Sequence, residues 1–129
     1  MPTYGISEAA ELLGVSPDTV RRWVDTGRLT ALREAKGPRR IDGGDLAAFA
    51  GSLAEPGDPD RAANSSARNR FRGIVTRVAR DGVMAQVEIQ AGPHRVVSLM
   101  SREAADQLGL EVGMVASAVV KSTNVVVEI

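Results

Sequence analysis

Three short polar segments in the second half of the chain have residue types suited to gripping a small oxyanion. Ser66-Ala67-Arg68-Asn69 and Lys121-Ser122-Thr123-Asn124 each set a cation beside hydroxyl and amide groups. Ser101 precedes Arg102 to Leu108, which reads as a short helix ended by Gly109. A tetrahedral dianion needs donors on several sides. Arg and Lys balance its charge. Hydroxyls and backbone N–H groups supply short-range selectivity, and a helix N-terminus adds attraction. The segments offer no carboxylates of the kind a metal cation takes as ligands. Each residue also has an ordinary structural role: Ser101 caps its helix whether or not anything binds, Ser66 could begin a strand, and Lys121 could be a solvated turn residue.

A second group of residues lies near the start of the chain. Ser16-Pro17-Asp18-Thr19 opens a helix, with serine at the cap, proline at the first position and an acid in the first turn. That helix continues through Val20, Arg21, Arg22, Trp23 and Val24 and stops at Gly27. Val20, Trp23 and Val24 share one face, so Trp23 belongs to a core rather than to base stacking. Upstream, Ser7 reads as the cap of a helix over Glu8 to Leu13, ended by Gly14. Two short helices joined by a tight glycine turn make a helix-turn-helix. The second is cationic on one side, as a helix entering the major groove must be, and its arginines could meet guanine edges or phosphates. After Leu29, the stretch Lys36-Gly37-Pro38-Arg39-Arg40 reads as a hairpin or wing tipped with cations, and Asp42 to Ala50 as a further helix with Leu46 and Phe49 inward.

Composition narrows the functions available. There is no cysteine and one histidine, His94, placed in a turn. This excludes disulfides, thiol catalysis and a histidine metal cluster, and it fits a reducing, cytoplasmic setting. No paired acid and base and no glycine-rich phosphate loop is visible, so catalytic residues are not expected and the chain does not read as an enzyme. The longest apolar runs are too short to span a membrane, and no signal peptide is apparent. Lys plus Arg equals Asp plus Glu at 16 each. DNA binding would therefore depend on local placement of charge rather than on a basic domain.

The elements that must hold these residues divide the chain in three. Residues 1–53 read as a compact helical domain, 54–65 as a Pro- and Gly-containing linker, and 66–129 as a β-rich domain. In the last part, strands are expected at Phe71 to Arg80, Val83 to Ile89, Arg95 to Met100, Val115 to Val120 and Val125 to Ile129, with Asp81-Gly82 as a two-residue hairpin turn. Five strands with a helix between the third and fourth is the order of an oligonucleotide/oligosaccharide-binding (OB) barrel. The expected class is α+β, a small winged helix-turn-helix followed by a five-stranded OB-like barrel. Parts of this size are near the lower limit for independent folding, and the second could need a partner subunit.

The run "GISEAAELLGVSPDTVRRWVDTGRL…KGPRRIDGGDLAAFA" resembles the MerR and excisionase-like winged helix-turn-helix families. That resemblance implies contact with double-stranded DNA through Ser16, Thr19, Arg21 and Arg22 and through Lys36, Arg39 and Arg40 of the wing. "SARNRFRGIV", "VVSLMSREAADQLGLEVG" and "VVKSTNVVVEI" are similar to the Mop (molbindin) form of the TOBE domain. This implies molybdate or tungstate held between subunits, with Ser66, Ala67 through its backbone, Arg68, Ser101, Lys121 and Ser122 as ligands. It also implies a homo-oligomer, a dimer or possibly a hexamer. Together the resemblances imply an anion-responsive transcriptional regulator. The alternative is an intracellular molybdate-binding or storage protein whose helix-turn-helix is an adaptor.

Overall fold

The computed structural model describes residues 2–33, 37–54 and 59–129. Its contacts divide the chain into two compact units, Met1–Pro56 and Gly57–Ile129.

In the first unit β1 (Thr3–Gly5) leads into α1 (Ile6–Leu13), α2 (Pro17–Asp25), β2 (Leu32–Arg33), β3 (Arg39–Asp42) and α3 (Gly43–Leu53). The three short strands form an antiparallel sheet in the order β1-β3-β2. β1 was not expected from the sequence. Helix α1 begins at Ile6, two residues ahead of the expected Glu8: its cap is Gly5 rather than Ser7, and the Gly5 N–H donates to the Glu8 carboxylate at 3.3 Å. The acid three residues into the helix, rather than the serine, sets the start, as in half of a capping box. Gly14 ends α1 with φ of 70°, and Val15 N–H returns to the Ala10 carbonyl at 3.0 Å. The expected Ser16 cap of the next helix is present, and Asp42, expected as the first residue of its helix, caps it instead. Ser16 Oγ accepts from Thr19 N–H at 3.2 Å, and Asp42 accepts from Gly44 and Asp45 N–H. The helices and sheet enclose Ala9, Ala10, Val20, Leu29, Ile41 and Leu46. Trp23 packs against this core, 5.0 Å from Phe49 between ring centroids, and Arg28 lies over both rings.

The second unit starts with a short helix, α4 (Pro59–Ala63), inside the stretch expected to be linker. Then come β4 (Asn69–Arg80), β5 (Met84–Ala91), β6 (His94–Ser101), α5 (Arg102–Gln107) and β7 (Val115–Val120). They form one antiparallel sheet in the order β6-β5-β4-β7. Alternation along β5 places Ala85, Val87 and Ile89 inward, where they pack with Val75, Ala105 and Leu110. The strand β4 passes very close to β5 at Gly73. A Cβ there would stand 2.3 Å from the Gln90 carbonyl oxygen and 2.9 Å from Ile89 Cγ2, so only glycine fits. A register shift between Val75 and Arg77 bends the same strand again.

Two expectations for this unit need correction. The loop from β4 to β5 has three residues, Asp81 to Val83. The Asp81 carboxylate accepts from Val83 and Met84 N–H, both at 2.7 Å, so a side-chain turn replaces the two-residue backbone turn. The segment Val125–Ile129, expected as a fifth strand, belongs to no strand. A short 3₁₀ turn, Ser122–Asn124, carries it out of the sheet, and Val126 and Val127 are 82% and 84% exposed. Its residues suit a strand, but a strand exists only against an edge that can take its hydrogen bonds, and here it meets none.

The sheet is nevertheless curled. Its two edge strands, β6 and β7, line one groove with β5 as the floor, a space of about 460 Å³ walled by Val87, Ile89, Val96, Met100, Met114 and Ala118 among others. The architecture is α+β: a helical helix-turn-helix unit and a curled antiparallel sheet.

Candidate functional site

The oxyanion candidates fall into two groups at opposite ends of one strand. Ser66, Ala67 and Arg68 immediately precede β4, and Lys121 and Ser122 immediately follow β7. Asn69 and Val120 are register partners, and the Asn69 amide donates to the Val120 carbonyl at 3.2 Å. These two segments therefore lie side by side. The Arg68 guanidinium is folded back, donating to the Ser65 carbonyl at 2.8 Å and the Ala67 carbonyl at 3.2 Å, while Ser65 Oγ accepts from Ala67 N–H. Asn69 is the residue that ties the two segments together. Its place at the end of the "SARN" run was the available signal, but sequence alone did not distinguish its role from that of Arg68.

Ser101 lies elsewhere. It pairs with Met84 at the start of β5, beside the Asp81–Val83 loop that follows the far end of β4. Arg102 N–H donates to the Val83 carbonyl at 2.8 Å. Between Asn69 and Arg80 there is roughly 35 Å of strand at about 3.3 Å per residue. Ser101 Oγ caps α5, accepting from Ala104 N–H at 3.1 Å. Its neighbour Arg102 lies 3.6 Å from Asp106, which also pairs with Arg80 at 3.0 Å. One copy of the chain thus holds two partial sets of donors and does not bring Ser101 to Arg68 and Lys121.

Two carboxylates brace this unit. Arg95 donates to Glu88 on the neighbouring strand and holds its carboxyl below the ordinary range, despite partial burial. The N–H groups of Met84 and Val83 do the same for Asp81, helped by the Arg102 charge.

In the helix-turn-helix unit the candidate DNA contacts differ in how free they are. Ser16 and Thr19 bond to each other, hydroxyl to hydroxyl at 2.9 Å, as part of the α2 cap. Arg21 pairs with Asp18 at 2.6 Å, and Arg39 with Asp25 at 2.6 Å, the latter linking β3 to α2. Arg40 donates to the Thr3 carbonyl at 2.9 Å and to its hydroxyl, and lies 3.6 Å from Glu8. It fastens β3 to β1 and α1. Arg22 is exposed on α2. Lys36 lies outside the described residues. One cation that sequence reasoning passed over, Arg33 on β2, stands directly opposite Arg39. The alignment of the two sides of the hairpin was its only signal.

The two units define a class, a helix-turn-helix carried in one chain with a curled antiparallel sheet. Residues 3–53 match the helix-turn-helix domain model and residues 65–127 the TOBE domain model. Over 63 residues the chain is 36% identical to molybdenum-pterin-binding protein 2 of Clostridium pasteurianum, covering 48% of this chain and 93% of that protein. The chain belongs to the TOBE-domain family of the molybdenum-pterin-binding proteins. It is also 38% identical over 63 residues to the molybdenum transport protein ModE of Herbaspirillum seropedicae, covering 48% of this chain but 23% of that protein. The solved structure of MopII from Clostridium pasteurianum matches at 35% identity and a TM-score of 0.48, covering 50% of this chain and 98% of that one. Both matched families are binding domains rather than enzymes. No helix among the described residues is long and apolar enough to cross a membrane.

Proposed function

We propose that the protein is a molybdate- or tungstate-responsive DNA-binding regulator. The observation that carries this reading is the division of the donor set. Ser66, Ala67, Arg68, Lys121 and Ser122 gather at one end of the sheet and Ser101 at the other, so a complete anion site needs a second copy. An anion that joins copies also fixes how their helix-turn-helix domains are presented to DNA. Paired half-sites are sensitive to that spacing. Anion and DNA are then linked because each favours the same assembly. The molybdenum-related names of the relatives support the choice of anion.

The assembly is homo-oligomeric in this reading. The groove between β6 and β7 is apolar and lies between two strand edges. The segment Val125–Ile129 is apolar apart from Glu128, exposed, and outside every strand. The final segment of one copy fills the groove of another and becomes the fifth strand that closes a barrel.

A test of function compares DNA affinity with and without saturating molybdate, alongside calorimetry of anion uptake. We expect a change of tenfold or so in DNA affinity, of the size usual for linked sites. We also expect strong loss of anion binding in Arg68→Ala and Lys121→Ala. Stoichiometric uptake with unaltered DNA affinity would instead establish the storage reading. The relatives that consist of little more than this domain favour that second reading.

A further inference from the structure

The hairpin of the helix-turn-helix unit sets two like charges face to face. Arg33 and Arg39 are directly opposed across β2 and β3. Opposed residues in an antiparallel pair project from the same face with their Cβ atoms about 5 Å apart, and like charges so placed repel. Arg21 of α2 lines the same cleft, a space of about 440 Å³ bounded also by Gly5 to Glu8 at the start of α1 and by Pro38. Three guanidinium groups therefore converge from a helix and both strands of a hairpin.

The acids nearby are already assigned. Asp18 holds Arg21, Asp25 holds Arg39, and Glu8, which lines the cleft itself, accepts from Gly5 N–H and faces Arg40. Arg33 is exposed and has no ion pair or side-chain hydrogen bond among the described residues. It is the one cation of the three with no acid partner among the described residues, while Arg21 and Arg39 each engage theirs through one nitrogen and keep further N–H groups.

We infer that Arg33, with Arg39 and Arg21, forms a clasp for one phosphate of the DNA backbone, with Arg33 as its anchor. This rests on the DNA-binding reading above and adds a contact that carries no sequence information. Guanidinium groups match phosphate oxygens in pairs, and a phosphate between Arg33 and Arg39 turns their repulsion into shared attraction. The clasp positions α2 on the duplex, while base edges are left to the exposed face of that helix.

The test uses the full chain and a labelled duplex of mixed sequence, titrated at several KCl concentrations by fluorescence anisotropy. Each phosphate neutralised contributes about 0.9 to the slope of log affinity against log salt. Arg33→Ala should weaken binding about tenfold at low salt and reduce that slope by about 1. Arg33→Gln should behave as Arg33→Ala does, which guards against a folding defect peculiar to one variant. Arg33→Lys should restore the slope. Equal affinity and slope in the wild type and both neutral variants would overturn the clasp while leaving DNA binding intact. Failure of the wild-type chain to bind any duplex would overturn the DNA reading and the clasp with it.

Discussion

The helix-turn-helix unit closes its core within one chain, whereas the sheet unit leaves its own open. In the first, Val20 and Ile41 are fully buried, each helix start has a capping partner, and Arg21, Arg39 and Arg40 pair with acids of the same unit. In the second, the edge strands face a groove, and the apolar residues that would suit it project into solvent on the final segment. The difference follows from element type. Helices satisfy their own backbone groups, so three of them and a small sheet can finish a core with few residues. A sheet satisfies its backbone only by adding strands, and a curled four-stranded sheet still has two edges.

The comparison breaks most visibly if Val125–Ile129 is deleted. The sheet unit should lose its assembly, seen as at least a halving of mass by light scattering, while the helix-turn-helix unit keeps its helical signal. An unchanged mass would show that the groove is filled some other way. A smaller effect separates two glycines. Gly73→Ala should destabilise the sheet unit by about 3 kcal/mol, at the upper end for overpacking, because the obstacle is the Gln90 backbone and cannot move like a side chain. Gly14→Ala, in open space at φ of 70°, should cost the first unit about 1 kcal/mol. Similar unfolding midpoints for the two variants would contradict the close approach of β4 and β5.

The smallest effect is acid sensitivity. Glu88 and Asp81 have carboxyls held below their ordinary values of 4.5 and 3.8 in the folded unit. Their contribution to stability is present above those values and is lost as pH falls through the lower folded ones. Melting temperature of the sheet unit should decline below pH 4.5, and less so in Glu88→Gln. A decline of the same depth in that variant would remove Glu88 from the explanation.

Much of this was legible because local chemistry dictated it. Ser16-Pro17, Asp42 and Ser101 announced three helix starts, and the four paired strands of the sheet lie within two residues of their expected ends. The failures were all relational. Ser7 looked like a cap until Glu8 reached back to Gly5. Val125–Ile129 has the composition of a strand, yet composition cannot supply an edge. The candidate anion residues were visible one by one, but their separation along β4 depends on register, which is fixed only once strands pair. Arg33 escaped notice for the same reason: its meaning lies in Arg39 across the hairpin.

The groove walled by β6 and β7 has a consequence for how much of this protein must be present. If its missing strand comes from another copy, the folded sheet obeys mass action, and no single value of stability describes it. Each tenfold dilution of a dimer then removes about 1.4 kcal/mol from the assembled state. Abundance becomes a control variable in its own right. A sparse population would expose its apolar edges to proteolysis, and a crowded one would be sheltered.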